Sequence, residues 1–556
     1  MVTFDDEKEE KELADIKQQE EETLIEFLAQ KHGLPYVNLL TVPIEHDALK
    51  LISEASAREA KLAPFSLSGK RLGVAIFTPN TEEVQAALKK LQDAGYHIEL
   101  FMASTKSLEK AWKYYREIST AAESHAGLVE ISASAVQEAA ADITHLAGVI
   151  PKIDEVIASK AQNRISRLLE VILGAAIALG ASDIHIEPEE AYVQLRLRLD
   201  GILQKVTSFD RATYALLNSR VKLLSGLKLN LKAEAQDGRF SVKVAEADIE
   251  IRTSLLPGAY GESIVLRLLD PKSISVPLES LGIHPILLRV IEQHISRPNG
   301  MLLTTGPTGS GKTTTLYAFL RKIHTPGVKI ITIEDPIEYH LPGIVQTQVE
   351  AAKHYTFASG LRSALRQDPD VIMVGEIRDE ETAEIAINAS LTGHLVFSTL
   401  HTNNAAGTFP RLVDLGVNPK TISSAINLTM AQRLVRRLCD VCKKEVGIDA
   451  KNLARFEKVL EHLPKSARPV TMAKMWTAAR CEKCNGTGYK GRVGIYEGIL
   501  TDPAVEAAVR EGGSEREIEL AALTQGIPTM AQDGILKVLA GVTSLEELER
   551  VATVSH

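Results

Sequence analysis

The residues best suited to chemistry are the eight from Gly306 to Thr313, which match the P-loop pattern G-x-x-x-x-G-K-[ST] at every position. The apolar run 301–305 before them predicts a buried strand, and the run 314–320 after them predicts a helix. Backbone N–H groups of such a loop and the dipole of the following helix favour an anion. The motif therefore predicts a nucleoside triphosphate site, with a chance glycine-rich turn as the alternative.

Within this motif each residue type has a chemical reason. Three glycines let the backbone adopt conformations that other residues resist. Lys312 can reach the β- and γ-phosphates, and the Thr313 hydroxyl can hold Mg²⁺. The predicted nucleotide-binding residues of the loop are Gly306, Pro307, Thr308, Gly309, Ser310, Gly311, Lys312, Thr313 and Thr314.

Acidic side chains follow two other predicted strands. Hydrolysis needs a second anchor for Mg²⁺ and a group that orients the attacking water. Glu376 ends the apolar strand 371–375, and Glu334, Asp335 and Glu338 follow the strand 330–333. Parallel strands present their carboxyl ends at the edge where ligands bind. Clustered carboxylates repel one another unless a cation or water lies between them, so a catalytic edge is favoured over a solvated turn.

Two histidines and four arginines are further candidates for the nucleotide site. His394 and His401 flank a predicted strand at 395–399, which favours γ-phosphate sensing over the alternative of hydrogen-bonded polar histidines. Arg362 and Arg366 are four residues apart and share one helix face. Arg252 and Arg267 lie on separate predicted strands, and on their own they would be interpreted as surface arginines.

All four cysteines form two C-x-x-C pairs, Cys439 with Cys442 and Cys481 with Cys484. Four thiolates brought together suit tetrahedral Zn²⁺, and such a site is structural because no position is left open for water. Redox pairs and unrelated buried thiols are the alternatives. No cysteine is left over, and a cytoplasmic protein rarely keeps disulfides, which favours zinc.

Composition limits the remaining possibilities. The chain has 556 residues, 45% of them hydrophobic, and a formal net charge of −9, which argues against a basic nucleic-acid-binding surface. The first thirty residues are acidic and lack the features of a secretory signal. The longest apolar run, 168–181, is too short to span a bilayer and contains Glu170. We expect a cytoplasmic protein that reaches a membrane only through partners.

The pattern along the chain predicts an α/β protein of several domains. Residues 1–117 form an N-terminal α/β module with an acidic lead-in, and 118–159, rich in Ala and Ser, suit a linker. Residues 160–275 read as α+β. Residues 276–500 alternate helices and buried strands, as a P-loop ATPase core does, with the cysteines in 435–500. Residues 501–556 read as a helical segment.

These motifs, in this order, resemble the secretion-superfamily ATPases that drive type IV pili and type II secretion. The similarity covers 160–550 strongly and 25–117 weakly. The matching segments are the P-loop at 306–313, the acidic box at 332–339, the segments 365–370 and 374–379, the histidine box at 392–402, and the cysteine-associated segments 431–439 and 484–492.

The resemblance implies a RecA-like P-loop ATPase domain preceded by a PAS-like α+β domain and a small N-terminal α/β domain. It also implies a homohexameric ring whose sites are completed by neighbouring subunits. Matched by position, Glu338 corresponds to the general base or water orienter, and Glu376 to the acid linked to Mg²⁺. Arg252 and Arg267 correspond to arginines that the PAS-like domain contributes to the nucleotide. Arg362 and Arg366 correspond to arginines near the phosphates, and His394 and His401 to the histidine box.

The paired cysteines and the N-terminal module resemble the assembly or export branch of the family, and not its shorter retraction ATPases, which lack both. We therefore expect an ATP hydrolase (EC 3.6 or 7.4) that uses ATP, Mg²⁺ and Zn²⁺ and powers type IV pilus assembly through an inner-membrane platform protein. A type II secretion pseudopilus ATPase is the close alternative. A nucleic-acid translocase and a non-hydrolysing docking subunit are further alternatives, which the acidic charge and the intact Lys312, Glu338 and Glu376 disfavour. No cyclic dinucleotide is predicted for the N-terminal module.

Overall fold

The computed structural model describes residues 21–42, 44–49, 51–68, 70–93, 95–115, 133–141, 143–159, 161, 163–244, 247–270, 276–350 and 353–554. The chain divides into two compact units, Met1–Glu130 and Ile131–His556. The α/β fold class predicted from the sequence is confirmed. Predicted features at 1–20 and at 118–132 lie outside the described residues.

The N-terminal unit is a small α/β module with its own core. Strand β1 (Leu62–Ser68) pairs antiparallel with β2 (Arg71–Ile76), and β2 pairs parallel with β3 (His97–Met102). Its helices are α1 (21–32), α2 (His46–Leu49), α3 (Glu54–Glu59), α4 (Glu82–Asp93) and α5 (105–115). Buried side chains from these elements and from the turns between them, Leu39, Leu72 and Trp112 among them, form one hydrophobic cluster.

The interpretation of 118–159 as a linker is wrong for its described part. Helices α6 (Ala133–Ala141) and α7 (Val149–Ala158) pack against α8 (Arg164–Ala178). Alanine is the strongest helix former, so an Ala-rich stretch is helical when a core is available. Val136 and Ile153 supply the buried side chains that the composition alone did not reveal.

The next layer carries the α+β fold that the alternating pattern predicted. Six antiparallel strands pair in the order β6-β5-β4-β9-β8-β7. The strands are β4 (Asp183–Pro188), β5 (Val193–Leu199), β6 (Ile202–Phe209), β7 (Gln236–Val244), β8 (Ala247–Gly258) and β9 (Gly261–Leu269), with α9 (Arg211–Leu224) between β6 and β7. Burial alternates strictly along β5, so one face packs on the helices and the other is left for the site.

The P-loop core is a seven-stranded sheet with the order β12-β11-β13-β14-β10-β15-β18. Its first six strands are parallel, and only β15 and β18 pair antiparallel. The strands are β10 (Gly300–Thr305), β11 (Ile330–Glu334), β12 (Val345–Gln348), β13 (Val371–Val374), β14 (Leu395–Leu400), β15 (Ile426–Leu438) and β18 (Tyr489–Leu500). The predicted strands at 301–305, 330–333, 371–375 and 395–399 are confirmed within one residue at each end.

Helices cover both faces of this sheet. They are α10 (Pro285–Ile295), α11 (Lys312–Ile323), α12 (Phe357–Leu365), α13 (Glu380–Leu391), α14 (Thr408–Asp414) and α15 (Pro419–Ala425). The cysteine-bearing region adds β16 (Lys444–Gly447), α16 (Ala450–Leu460) and β17 (Lys474–Thr477), and the chain continues with α17 (Pro503–Arg510), α18 (Glu515–Ala522), α19 (Met530–Leu539) and α20 (Leu545–Val551). Across the described ranges, no helix combines the length and apolar character needed to cross a bilayer.

Gly174 tests the packing of α6 on α8. A Cβ at this position would lie 2.8 Å from the Val136 carbonyl oxygen and 2.9 Å from the Ala139 Cβ. We expect Gly174→Ala to destabilise this contact by about 1–3 kcal/mol, because overpacking outweighs the gain in helix propensity of up to about 1 kcal/mol. Hydrogen exchange of amides 133–141 should accelerate by a corresponding factor.

Gly327→Ala is the matched control, because its Cβ would meet no atom within 4 Å. Slower exchange at 133–141 in Gly174→Ala, or no change, would show that α6 does not pack as described.

Candidate functional site

The P-loop connects β10 to α11 through a backbone that only glycine adopts easily. Gly306, Gly309 and Gly311 have φ angles of 147°, 77° and 91°. The Lys312 Nζ donates to the Gly306 carbonyl at 2.7 Å and to the Pro307 carbonyl at 3.2 Å. Burial lowers the pKa of Lys312, Glu376 opposes this shift, and Arg433 adds to it. The ammonium is thus held over its own loop, where an anion would be its natural partner.

Gln432, on β15, fixes the shape of this loop. Its amide Nε2 donates to the Ser310 carbonyl at 2.7 Å, and its Oε1 accepts from the Thr315 hydroxyl at 2.9 Å. A Cβ at Gly311 would lie 3.1 Å from this Nε2, and one at Gly306 would lie 2.6 Å from the Gln432 carbonyl oxygen. The glycines are therefore required by the close approach of β15 as well as by their φ angles.

The acidic residues lie at the carboxyl ends of β11 and β13, as predicted. Glu334 is buried and accepts hydrogen bonds from Tyr317, Thr332 and Gln346. Burial raises the pKa of Glu334, and these three hydrogen bonds only partly offset the shift.

Glu376 has two partners at this edge. Its Oε1 accepts from Arg378 at 2.5 Å, and its Oε2 lies 3.4 Å from the His401 Nε2. Glu376 and Thr313 both line the cavity described below, and a carboxylate with a hydroxyl suits Mg²⁺ as oxygen ligands.

Glu338 is paired with the preceding domain. Arg252, on β8, donates from Nη1 to the Glu338 Oε2 at 3.0 Å and from Nη2 to the Ile337 carbonyl at 2.8 Å. The arginine contacts the acidic box directly, so β8 and the P-loop core are joined at the predicted catalytic carboxylate.

A second cluster of acidic and basic side chains joins β4, β5 and β9. The buried Asp183 accepts from the Arg267 Nε at 2.9 Å and lies 3.2 Å from the Arg198 Nε. Burial works to raise the pKa of Asp183, but the Arg267 hydrogen bond and the charge of both arginines hold it below its ordinary value. Asp183 therefore holds two guanidinium groups at the face of the sheet that opens on the P-loop.

Most of these groups line one cavity of about 880 Å³ between the six-stranded sheet and the P-loop core. Arg252 and Gln432 contact lining residues without lining the cavity themselves. The cationic side chains on its lining are Arg198, Arg267, Lys312, Arg378, Arg433, Arg436, Arg492 and Arg550, and the acidic ones are Asp183, Asp200, Glu334, Asp335, Glu338 and Glu376. The cations outnumber the acids by two, so the cavity complements a polyanion that brings its own divalent cation.

Five predicted nucleotide-site residues do not line this cavity: Gly306, Arg252, His394, Arg362 and Arg366. Arg252 still contacts Glu338, which lines it. His394 precedes β14, at the strand end opposite the P-loop, and its Nδ1 lies 3.1 Å from the Ala389 carbonyl oxygen. Arg362 pairs with Glu381 of α13 on the surface, and Arg366 donates to the Arg362 carbonyl at 3.0 Å. Only His401 of the two histidines lines the cavity.

The sequence reasoning missed several cavity arginines. Arg433 and Arg436 lie inside a motif used for the resemblance, so their position on β15 was the available signal. Arg198 lies in an alternating pattern of polar and apolar residues that predicted β5. That pattern carries no information about its ion pair with Asp183. Arg492 and Arg550 carry no local signal, because separate segments bring them to the site.

The four cysteines meet as predicted. Their sulfur atoms lie within 4.8 Å of one another, with distances of 3.8 Å for Cys439–Cys481 and for Cys442–Cys484, and 3.6 Å for Cys481–Cys484. A disulfide would need about 2.05 Å. Four ligands at about 2.3 Å from Zn²⁺ lie about 3.8 Å apart in a tetrahedron. The cluster could hold such a metal.

Comparison with known proteins decides the family. The family model described as "Type II/IV secretion system protein" matches residues 158–550, which is more than half of the chain. The chain belongs to this family.

Individual members support the assignment. This chain is 45% identical to the type II secretion system protein E of Klebsiella pneumoniae over 410 residues, which are 74% of this chain and 80% of that protein. It is 37% identical to the type IV pilus assembly ATPase PilB of Myxococcus xanthus over 531 residues, 95% of this chain and 91% of that one. A model of the MshEN domain matches residues 32–122 of this family member.

A solved structure supports the fold alone. The Yersinia pseudotuberculosis ATPase DotB is 19% identical, with a TM-score of 0.50 over 71% of this family member and 95% of that chain.

Gln432 provides a test of the loop geometry. In Gln432→Glu a carboxylate oxygen would face the Ser310 carbonyl oxygen in place of the amide donor. Leaving that buried carbonyl unsatisfied costs about 1–3 kcal/mol, so we expect a fluorescent ATP analogue to bind about 5- to 150-fold more weakly. Gln293→Glu, at an exposed position on α10, is the control. Equal affinity in the two variants would mean that Gln432 does not shape the loop.

Proposed function

We propose that this protein is a hexameric ATPase whose hydrolysis of ATP powers type IV pilus assembly. One observation carries the proposal: the P-loop, Glu376 and Glu338 meet an arginine-bearing sheet of the preceding domain around a single cavity. A nucleotide site shared by two domains can convert a change in the bound phosphates into relative domain movement.

Each side chain then has a part in hydrolysis. Lys312 and the loop N–H groups hold the β- and γ-phosphates, as a P-loop does. Thr313 and Glu376 would hold Mg²⁺, which neutralises developing charge on the phosphates when bound. Glu338 orients the attacking water or accepts its proton, and His401 supports Glu376. Arg267 places positive charge on the opposite side of the cavity.

The ion pair between Arg252 and Glu338 suggests how hydrolysis moves a domain. With Arg252 bound to the carboxylate, β8 is attached to the acidic box. A γ-phosphate competes for the same guanidinium, so binding and hydrolysis would alternately release and restore this attachment. This supports a motor function over a static docking role.

A ring of six subunits accounts for the residues left outside the cavity. Arg362 on α12 and Arg366, which follows the helix, are both exposed, so a neighbouring subunit can reach them. In a heterologous ring each subunit presents such a surface to the next one. We propose that these arginines, with His394 as a further member of the histidine box, act in assembly of the ring.

Two observations bear on the choice between a pilus and a secretion system. The pilus ATPase of Myxococcus xanthus aligns over 95% of this chain, N-terminal unit included, whereas the Klebsiella pneumoniae secretion protein aligns over 74%. The higher identity of the latter, 45% against 37%, favours type II secretion as the second candidate. We place the motor at the cytoplasmic face of the inner membrane, held there by a platform protein, with Zn²⁺ in the cysteine cluster and no direct nucleic-acid partner.

Glu338→Gln tests the catalytic assignment. The amide keeps the shape but cannot accept a proton, and general-base groups contribute roughly 10²–10⁴-fold to rate. We expect steady-state ATP turnover to fall by about that factor, while binding of an ATP analogue changes little. Glu384→Gln, at an exposed position on α13, is the control. Unchanged turnover in Glu338→Gln would remove this residue from the mechanism.

The cellular role is tested by expression in a bacterium that lacks its own pilus assembly ATPase. Restored surface pili support the proposal, whereas restored export of folded proteins in a secretion-deficient strain supports the second candidate. Stimulation of turnover by DNA, and not by a platform protein, would overturn both.

A further inference from the structure

We propose that the cysteine cluster supports one wall of the nucleotide cavity, so that metal binding and nucleotide binding strengthen each other. The inference rests on the proposed function and adds a role for the metal. We call residues 481–491 the knuckle, and Arg436, Arg492 and Arg550 the C-terminal wall of the cavity. Two continuous sets of contacts connect the knuckle to the cavity.

The first set begins at the sulfur atoms. The Gly488 N–H donates to the Cys484 Sγ at 3.2 Å, and the Gly488 carbonyl accepts from the Cys439 N–H at 2.9 Å. Gly488 has a φ angle of 83°, and a Cβ there would lie 2.6 Å from the Ala479 carbonyl oxygen. The backbone that leads into β18 is therefore shaped by two of the four cysteines.

The residue that follows carries the effect to the C-terminal wall. Tyr489 is buried, and its ring centroid lies 4.0 Å from the Arg436 guanidinium carbon. Its hydroxyl is 2.7 Å from the Ser544 Oγ. The cation–π contact therefore fixes Arg436, which lines the cavity, on the ring of Tyr489, the residue after Gly488.

A buried carboxylate joins the rest of this wall to Arg436. Glu547 is 1% exposed and accepts from the Arg436 Nη2 at 2.7 Å and from the Arg550 Nη2 at 2.7 Å. Burial works to raise the pKa of Glu547, but hydrogen bonds from both arginines bring it below its ordinary value. Arg436 and Arg550 therefore move as one group, whose position depends on Tyr489.

The second set of contacts reaches the opposite side of the cavity. The Gly491 N–H donates to the Asp200 Oδ2 at 3.0 Å, and Asp200 lines the cavity at the turn after β5. The Asn485 Oδ1 accepts from the Leu146 N–H at 2.7 Å, just before α7. The knuckle thus contacts the turn after β5, which lines the cavity, and the segment just before α7.

Loss of the metal would release this support. Without it, hydrogen bonds between thiols hold 439–442 against 481–484, and the Cys484 sulfur that accepts from the Gly488 N–H is less firmly held. A coupling between two binding sites is typically about 5- to 150-fold, and it is reciprocal. Zinc should therefore raise nucleotide affinity by the same factor by which nucleotide raises zinc affinity.

Two equilibrium measurements test this reciprocity on the full chain. Binding of a fluorescent ATP analogue is compared for the zinc-loaded and zinc-stripped protein, and zinc affinity is measured against a chromophoric chelator with and without the analogue. We expect both factors to be at least about fivefold and equal. Nucleotide affinities that agree within twofold in the loaded and stripped protein would overturn the inference.

A pair of variants isolates the path through Tyr489. Tyr489→Phe keeps the ring beneath Arg436 and should keep the wild-type nucleotide affinity. Tyr489→Leu removes the aromatic face, and the zinc-loaded variant should bind the analogue at least about fivefold more weakly. If Tyr489→Leu and Tyr489→Phe bind equally, the path is wrong. If Tyr489→Leu itself loses zinc, its nucleotide affinity must equal that of the stripped wild type, and a tighter affinity also contradicts the inference.

These outcomes are distinct from failure of the proposed function. A zinc-loaded wild-type chain that binds no ATP analogue contradicts the ATPase assignment. A chain that binds the analogue equally with and without zinc contradicts only the coupling. If the stripped protein does not stay folded, the comparison of the two loaded Tyr489 variants decides the question.

Discussion

The structure depends on a half-buried ammonium whose hydrogen bonds go to carbonyl oxygens of its own loop. The Lys312 Nζ hydrogen-bonds to carbonyl oxygens of its own loop, Gly306 and Pro307, and burial lowers its pKa. A cation in this position is stabilised most by phosphate oxygens within the loop. The positive φ angles of the loop glycines, the Gln432 hydrogen bond to the Ser310 carbonyl and the close approach of β15 together set the shape of the loop around that position.

The second requirement is that the cavity be closed from another domain. Arg252 pairs with Glu338, while Asp183 orients Arg198 and Arg267 toward the P-loop. The Arg252 contact joins a six-stranded antiparallel sheet to a mainly parallel one, and residues of both sheets line the cavity. The C-terminal wall adds a third side, through which the cysteine cluster reaches the site.

Much of the site was predictable because its chemistry is local in sequence. The P-loop and the acids at strand ends follow from the order of strand, turn and helix, and the cysteine spacing indicates its own cluster. The direction of a parallel strand also explains why His401 lines the cavity and His394 does not. His394 comes before the strand, so it lies at the amino edge of the sheet, away from the P-loop.

The remaining features arise from contacts between distant segments. Arg198, Arg492 and Arg550 reach the cavity from a strand of one domain, the start of β18 and the end of α20. No local pattern distinguishes them from surface arginines. The helices at 133–158 were missed for a related reason, because Ala and Ser composition suits a linker as well as a helix that packs on a core.

The most direct test of the account is an experimental structure of the full chain with Mg²⁺ and a slowly hydrolysed ATP analogue. We expect the β- and γ-phosphates within the loop from Gly306 to Thr313, the Lys312 ammonium moved from the Gly306 carbonyl onto phosphate oxygens, and Arg267 facing the nucleotide. A nucleotide bound elsewhere, or a Lys312 that still bonds its own loop with the analogue present, would contradict the account.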